Sequence, residues 1–539
     1  MKKTILFFWI FIQSSIVLFA NSFYIDPTNG NNNTGDGTLQ NPWQTLEYVI
    51  NNNLIESMSY VTPYDPNNPQ LIIKNQGAPI KAGDVIWLYS GLHGEINLSN
   101  YINTDYITIK NVTNENPIIK RITLQGAKKW QLDGLDVSSE PYNTYINDKL
   151  VYFVTHNFFG PVSDIEIKNC NIYSSVSPWT VAQDWVNKAS DGIILREVDN
   201  VFIINNTLTN VKFGVSLWGN NIQTIDNTIT NFSADAMRLL GSNNLIEHNI
   251  IKNCYDVDDN HDDAIQAFTT GGLTIDNNSI KRNIILNYED PNQPLLGPLQ
   301  GIACFDGPLN NWLVENNLVV VNHWHGISLY GAVNCTITNN TVLDPTPNNG
   351  TGPSWIKIED DGSYIASDCT VKNNIINTLS VTSNTAIGNN TLLSTFTDYS
   401  TNFVDYTNYN FHLLATSSSV DNADANFAPN KDLDNIDRPQ GNGYDIGCYE
   451  YPLPLNIDES EVLNNVQVYP NPFTNHLNIN NIPIGSKIKI FDVAGNLVYK
   501  TKTDKPEVSI PTFKLTQGVY FIQIINKKTI TIKAIRHKN

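Results

Sequence analysis

Aspartates, a histidine and cations return at fixed places of a degenerate repeat in the middle of the chain. The repeat is about 20 to 37 residues long. Aligned on one short apolar strand, it reads Asp191-Gly192-Ile193-Ile194, Phe213-Gly214-Val215-Ser216, Asp235-Ala236-Met237-Arg238, Asp263-Ala264-Ile265-Gln266, Gln300-Gly301-Ile302-Ala303, His325-Gly326-Ile327-Ser328 and Ser354-Trp355-Ile356-Lys357. Its leading position therefore carries Asp191, Phe213, Asp235, Asp263, Gln300, His325 and Ser354. Three positions on stand Ile194, Ser216, Arg238, Gln266, Ala303, Ser328 and Lys357. A protonated carboxyl can donate to a leaving oxygen while a second carboxylate acts as nucleophile or activates water, which is what glycoside hydrolysis needs. Crowding Asp235, Asp262 and Asp263 together raises one of their pKa values and supplies the acid.

The element that positions these residues follows from the repeat itself. A unit this short, with strand-length apolar runs such as 201–204 and no helical periodicity, cannot bury its apolar side alone and must stack on its neighbours. The expectation is an all-β chain built on a parallel β-helix, in which equivalent residues of successive coils lie about 4.8 Å apart. The aligned positions are then a map of surface ladders. Asn-rich turns such as Asn205-Asn206, Asn243-Asn244, Asn277-Asn278, Asn316-Asn317 and Asn339-Asn340 fit, because Asn tolerates the left-handed region and bonds back to its own main chain. Most Asn here is read as structural ladder.

The chain has 539 residues, a hydrophobic fraction of 41% and a net charge of −19. That acidity argues against nucleic acid as a partner and permits neutral polysaccharides, and anionic ones where bound cations or local Arg and Lys compensate. Six cysteines, Cys170, Cys254, Cys304, Cys335, Cys369 and Cys448, lack metal-site spacing and read as buried thiols of the stack. Lys2-Lys3 followed by the apolar runs 5–12 and 16–19 reads as a secretory signal over 1–22. No other run is apolar and long enough to span a bilayer.

The two ends carry resemblances. Val466-Gln-Val-Tyr-Pro-Asn-Pro-Phe473, the 491–495 turn and Gln517-Gly-Val-Tyr-Phe-Ile522 resemble the C-terminal sorting domain of type IX secretion substrates. That resemblance implies export to the cell surface or medium, with the secretion machinery as partner. Phe23-Tyr-Ile-Asp-Pro-Thr-Asn-Gly30 and Gly83-Asp-Val-Ile-Trp-Leu88 resemble the opening of bacterial right-handed parallel β-helix proteins, many of them polysaccharide lyases and hydrolases. Asp437-Arg-Pro439 and Asp445-Ile-Gly-Cys-Tyr-Glu-Tyr451 resemble their last turns. The segment from Trp43 to Ile50 is expected to cap the open end of the stack. The domain reading is a signal over 1–22, a right-handed parallel β-helix over 23–452, a linker over 453–465 and a small antiparallel sorting sandwich over 466–539.

Within the repeat, Ser233-Ala234-Asp235-Ala236, Asp262-Asp263, Trp324-His325-Gly326-Ile327-Ser328 and Trp355-Ile356-Lys357 resemble, in order, the motifs of the polygalacturonase family of glycoside hydrolases. The resemblance implies Asp235, Asp262 and Asp263 as catalytic carboxylates, with His325 orienting them and Lys357 binding substrate. The chain departs from the family at Ser233-Ala234 and Trp355, and an extra coil carrying Gln300 puts His325 about 10 Å from Asp263. Arg238, Gln266, Asp306 and Tyr330 are the further substrate-binding candidates.

The competing reading is a calcium-dependent polysaccharide lyase, because Asp235 with Asp262-Asp263 also resembles the calcium aspartates of β-helical pectate lyases. The loop 255–261 adds Asp256, Asp258 and Asp259 as a calcium site in that reading; the hydrolase reading requires no cofactor. His261 and His323 have no zinc-like spacing and read as turn residues. A third reading is a non-catalytic adhesin or glycan-binding β-helix, since fold does not fix function. The expectation is a secreted, monomeric polysaccharide-degrading enzyme, with a hydrolase favoured.

Overall fold

The computed structural model describes residues 20–269, 272–346, 352–452, 466–526 and 529–537. The linker expected over 453–465, and all but the last three residues of the expected signal, lie outside the described residues. The chain divides into two compact units, 1–451 and 452–539.

The first unit is a parallel β-helix. Each central coil contributes three strands, as in Leu245–Glu247, Ile250–Cys254 and Asp262–Ala267. Each strand pairs in parallel with its equivalent one coil on, so that Met237 lies beside Ile265, Ile251 beside Ile285 and Ile246 beside Ile280. Inward positions are Ile, Leu and Val and form one continuous buried cluster along the unit. Parallel sheets buried by their own coils in this way need no helices to cover them.

Asn builds the corners, as the sequence implied. In the Asn205-Asn206, Asn316-Asn317 and Asn339-Asn340 pairs the first residue has φ of 52°, 57° and 54°. The second turns inward. Asn206, Asn227, Asn249, Asn283, Asn317, Asn340, Asn374 and Asn390 form a ladder in which, from Asn227 on, each side-chain oxygen accepts both the backbone N–H and the amide of the residue one coil earlier. Every rung satisfies a buried corner N–H that the turn would leave orphaned.

The ends are closed differently. Helix Leu46–Asn51, capped by the Thr45 hydroxyl, buries Leu46, Val49 and Ile50 at the N-terminal end. The first strand, Ser22–Ile25, pairs in parallel with Val85–Leu88. Past the last coils, helix Phe396–Asn402 and the antiparallel pair Phe403–Asp405 and Asn410–Leu413 pack Tyr399, Phe403 and Phe411 with Leu286, Leu318, Val320 and Leu343. Here Arg438 and Glu450 form an ion pair at 3.1 Å with both side chains fully buried. The six cysteines are free and buried.

The second unit has a three-stranded and a four-stranded antiparallel sheet, with Phe473, Leu477, Ile479, Ile488, Ile490, Ile522 and Ile524 among its core. Among the described residues no helix is long and apolar enough to cross a membrane.

Candidate functional site

The third strand of each coil places the ladder expected from the sequence. Ser216, Arg238, Gln266, Ala303, Ser328 and Lys357 follow one another in register from coil to coil. They alternate with inward Leu217, Leu239, Ile265, Ile302, Ile327 and Ile356, and so point outward. At the leading position Asp263 pairs with Gln300, and Gly214 N–H bonds to the Asp235 carbonyl. The last step differs from expectation. A register shift after His325 makes Trp355, not Ser354, its partner, while Ser354 turns inward and its hydroxyl bonds to the Val321 carbonyl.

Asp263 is the centre of the group. Its side chain is fully buried, and Oδ2 accepts from Gln266 Nε2 at 3.0 Å and pairs with His261 Nδ1 at 2.8 Å. Its backbone N–H donates to Asp235 Oδ1 at 3.2 Å on the preceding coil. Burial, with the charge of Asp235 added, pushes the Asp263 carboxyl up to about 6 against the hydrogen bond from His261. That bond raises the His261 pKa, and the His261 side chain is 55% exposed. A buried carboxylate thus holds the inner nitrogen of a half-exposed imidazole, which is the arrangement that fixes the orientation of a proton-transfer histidine. Asp263 Oδ1 and Gln300 Oε1, in register on the next coil, are buried oxygens without a hydrogen-bond partner among the described residues. A water or a ligand hydroxyl between them would meet two acceptors.

Asp235 is buried and tied to Arg238 Nε at 2.6 Å. Burial raises its pKa and the guanidinium opposes this. Arg238 also lies 3.8 Å from the Phe213 ring centroid, so the cation has partners on both sides.

The Asp262-Asp263 pair is divided, which corrects the expectation that both carboxyls share the cleft. Successive side chains of a strand point to opposite faces. Asp262 therefore turns away from His261, and its Oδ2 meets the buried Cys254 thiol at 3.4 Å. Burial first, then the charges of Asp256, Asp235 and Asp258, push its carboxyl up to about 8.

His325 does not touch Asp263, because the Gln300 coil lies between them. Its Nδ1 pairs with Ser328 Oγ at 2.9 Å, and Trp355 Nε1 donates to the same oxygen at 3.1 Å. His323 stacks on His325 at 5.2 Å. Burial lowers both histidines to about 4, so both are neutral near pH 7. Phe305 and Tyr330 complete an aromatic cluster around His325. Lys357 pairs with Glu359 and lies 4.8 Å from the Trp355 ring centroid and 5.6 Å from that of Tyr330.

Two sets of expected site residues do not join the Asp263 group. Asp306 is exposed on a turn with φ 54°, six residues beyond Gln300. At about 3.3 Å per residue this is the far end of the strand. Asp256, Asp258 and Asp259 lie close enough that burial, then the charges of the last two, raise the Asp256 pKa, while Asp256 packs on Gly297 and Asp258 Oδ1 caps Asn260 N–H. Among the described residues no group of three or more His, Cys, Asp or Glu could hold a metal ion.

His261 was the residue that sequence reasoning passed over. Its signal was present: His261 and Asp263 are two apart on a strand lead-in and so face the same side. Of the tryptophans near the repeat, Trp185 and Trp312 are core, while Trp218 and Trp324 are exposed.

A parallel β-helix carrying a buried carboxylate–histidine pair on one sheet face, joined in sequence to an antiparallel sandwich, is the class this architecture defines. Residues 153–342 match the family model described as right handed beta helix region, and residues 467–537 that described as secretion system C-terminal sorting domain. The chain thus contains a right-handed parallel β-helix and a sorting domain, and it is exported by type IX secretion to the cell surface or beyond. No curated protein matches the sequence.

Similar solved structures include pectate lyase Pel9A, at 12% identity over 80% of this chain and 96% of that one, with a TM-score of 0.34. The GH136 lacto-N-biosidase from Eubacterium ramulus shares 12% identity over 69% and 67%, with a TM-score of 0.41. PorZ, a surface component of the type-IX secretion system of Porphyromonas gingivalis, shares 27% identity with a TM-score of 0.14, and the match spans 14% of this chain and 12% of PorZ.

Proposed function

We propose that the β-helix is a polysaccharide-degrading enzyme that cleaves by proton transfer, with glycoside hydrolysis as the reaction. The observation that carries this reading is the pair formed by half-exposed His261 and fully buried Asp263. With Asp263 at about 6 and the His261 pKa raised, there is a window near neutrality in which Asp263 is ionised and His261 protonated. Protonated His261 then donates to the leaving glycosidic oxygen. Asp263 holds the imidazole and balances its charge. Asp235, one coil away, is the second carboxylate and acts on the attacking water. Trp324, Trp355 and Tyr330 form an aromatic wall against which apolar sugar faces rest.

A lyase that relies on side-chain cations needs one of them free to neutralise a uronate carboxyl. Both cations of the ladder are already engaged, Arg238 by Asp235 and Lys357 by Glu359, which favours the hydrolase. A non-catalytic glycan-binding role has no use for a histidine tuned in this way.

The test is a panel of neutral, uronic and sulfated polysaccharides, followed simultaneously for new reducing ends and for the ultraviolet absorbance of unsaturated products. Reducing ends without absorbance are expected. Absorbance rising in step with them, and abolished by a chelator, would make the enzyme a lyase. No product on any glycan would leave binding as the function.

A further inference from the structure

A groove of about 480 Å³ at the far end of the same outward strands, bounded by Trp218, Leu240, Phe268, Glu197 and Asp199, is left unused by this reading. Its size is that of an ordinary small-ligand cleft. The floor is low because it carries no side chains at Gly219 and Gly241. A Cβ at Gly241 would stand 1.9 Å from the Gly219 carbonyl oxygen, and one at Gly219 would stand 2.2 Å from that of Val198. These coils approach too closely for any other residue.

Trp218 is 39% exposed and forms one wall. Arg196, its partner on the preceding coil, lies 5.0 Å from the ring centroid and is not among the groove's walls. The guanidinium therefore supports one face of the indole and leaves the other turned into the groove. Two carboxylates of the preceding coil, Glu197 and Asp199, also line the groove, and Glu197 pairs with Arg196 Nε at 3.8 Å. Asp199 Oδ1 accepts from Asn221 Nδ2 at 2.7 Å, which sets the orientation of its acceptor oxygens at the rim. Among the described residues no lysine, arginine or histidine lines the groove itself.

We infer that this groove is a distal glycan subsite, and that it takes an uncharged sugar: a pyranose whose apolar face stacks on Trp218 and whose hydroxyls donate to Glu197 and Asp199. The inference rests on reading the sheet face as a glycan cleft. An aromatic face beside hydrogen-bond acceptors suits a ring with one apolar face and a hydroxyl edge. Arg196 offsets Glu197, but Asp199 has no cation partner among the described residues, so the lining keeps a net negative charge that disfavours uronate or sulfate groups. Phe268 is five residues beyond Asp263 on the strand direction, about 17 Å at the strand rise. The subsite thus holds a chain several sugar units from the reacting bond. Its contribution is to affinity and to the choice between neutral and anionic chains.

The experiment is equilibrium binding to the full chain carrying Asp263→Asn, so that turnover does not obscure affinity, with and without Trp218→Ala or Trp218→Phe. The probes are xylo-, manno- and cellohexaose and hexagalacturonate, and urea midpoints verify that the variants fold. At least one neutral hexasaccharide is expected to bind, with affinity falling tenfold or more in Trp218→Ala and within threefold of the parent in Trp218→Phe. Hexagalacturonate is expected to bind at least tenfold more weakly. Binding that is indifferent to Trp218, tighter binding of hexagalacturonate, or no neutral binder at all would overturn the inference. Trp218-dependent binding of a neutral probe, with no cleavage of its polymer by the parent chain, would sink the hydrolase reading and leave the subsite standing. Cleavage with Trp218-independent affinity would do the reverse.

Discussion

Replacing Asp262 by Asn should abolish a pH dependence of stability that the fold builds in. Asp262 is buried, its hydrogen-bond partner is the Cys254 thiol, and three other aspartates lie close enough to oppose its ionisation. Its carboxyl titrates near 8, against 3.8 for the ordinary group. Between those values the native state holds a proton that the unfolded chain has released. Stability from this group is therefore fully present below the ordinary value and is lost as pH rises through the native one. The slope is about 1.4 kcal/mol per pH unit, so about 4 kcal/mol disappears between pH 5 and pH 8. Asn at this position is neutral throughout and nearly the same shape.

Urea unfolding of the parent and Asp262→Asn at pH 5, 6.5 and 8 measures the effect. The variant should gain about 4 kcal/mol relative to the parent across that range. The infrared carbonyl band of protonated carboxyls at pH 6.5 should weaken clearly with the substitution. Stability curves that stay parallel in pH to within about 1 kcal/mol would show that Asp262 ionises normally, and the argument from its burial would fail.

Other consequences are as direct. Asn283→Ala removes one rung of the corner ladder and strands the Asn249 N–H and the Ile246 carbonyl, both buried; a loss of about 3 kcal/mol in urea unfolding is expected. Arg438→Met leaves Glu450 buried and unpaired, at a cost of about 3–5 kcal/mol. The double variant Arg438→Met/Glu450→Gln should recover part of that loss in the same assay. In kinetics, the raised pKa of His261 makes kcat/KM fall as pH rises past it. His261→Gln should flatten that alkaline limb in a pH–rate profile.

The sequence disclosed the fold through its corners. Asn at paired positions reported both a left-handed turn and an inward ladder, and the short apolar strand between corners set the coil length. Because equivalent positions stack, the ladders Ser216-Arg238-Gln266 and Asp235-Asp263-Gln300 were readable before any coordinates. What the alignment could not carry was the direction of each side chain at the corner. Asp262 and Asp263 look alike as neighbours, yet the alternation of the strand sends one to Cys254 and the other to His261. The bulge after His325 lies beyond a repeat alignment for a similar reason, since it moves Trp355 into place by a backbone adjustment that no residue type announces. The Trp218 groove depends on Gly219 and Gly241 meeting across coils, a contact between residues that the alignment leaves outside the repeated motif.

The central claim is that the His261–Asp263 pair, and not the neighbouring Asp262, carries the proton in glycan cleavage. The most direct measurement is kcat for the parent, His261→Gln, Asp263→Asn and Asp262→Asn on whichever glycan the parent cleaves, at a pH where all four are folded. Losses of about 100-fold or more are expected for the first two variants, with Asp262→Asn retaining most of the parent's activity. Loss of activity in Asp262→Asn with His261→Gln unaffected would contradict the account.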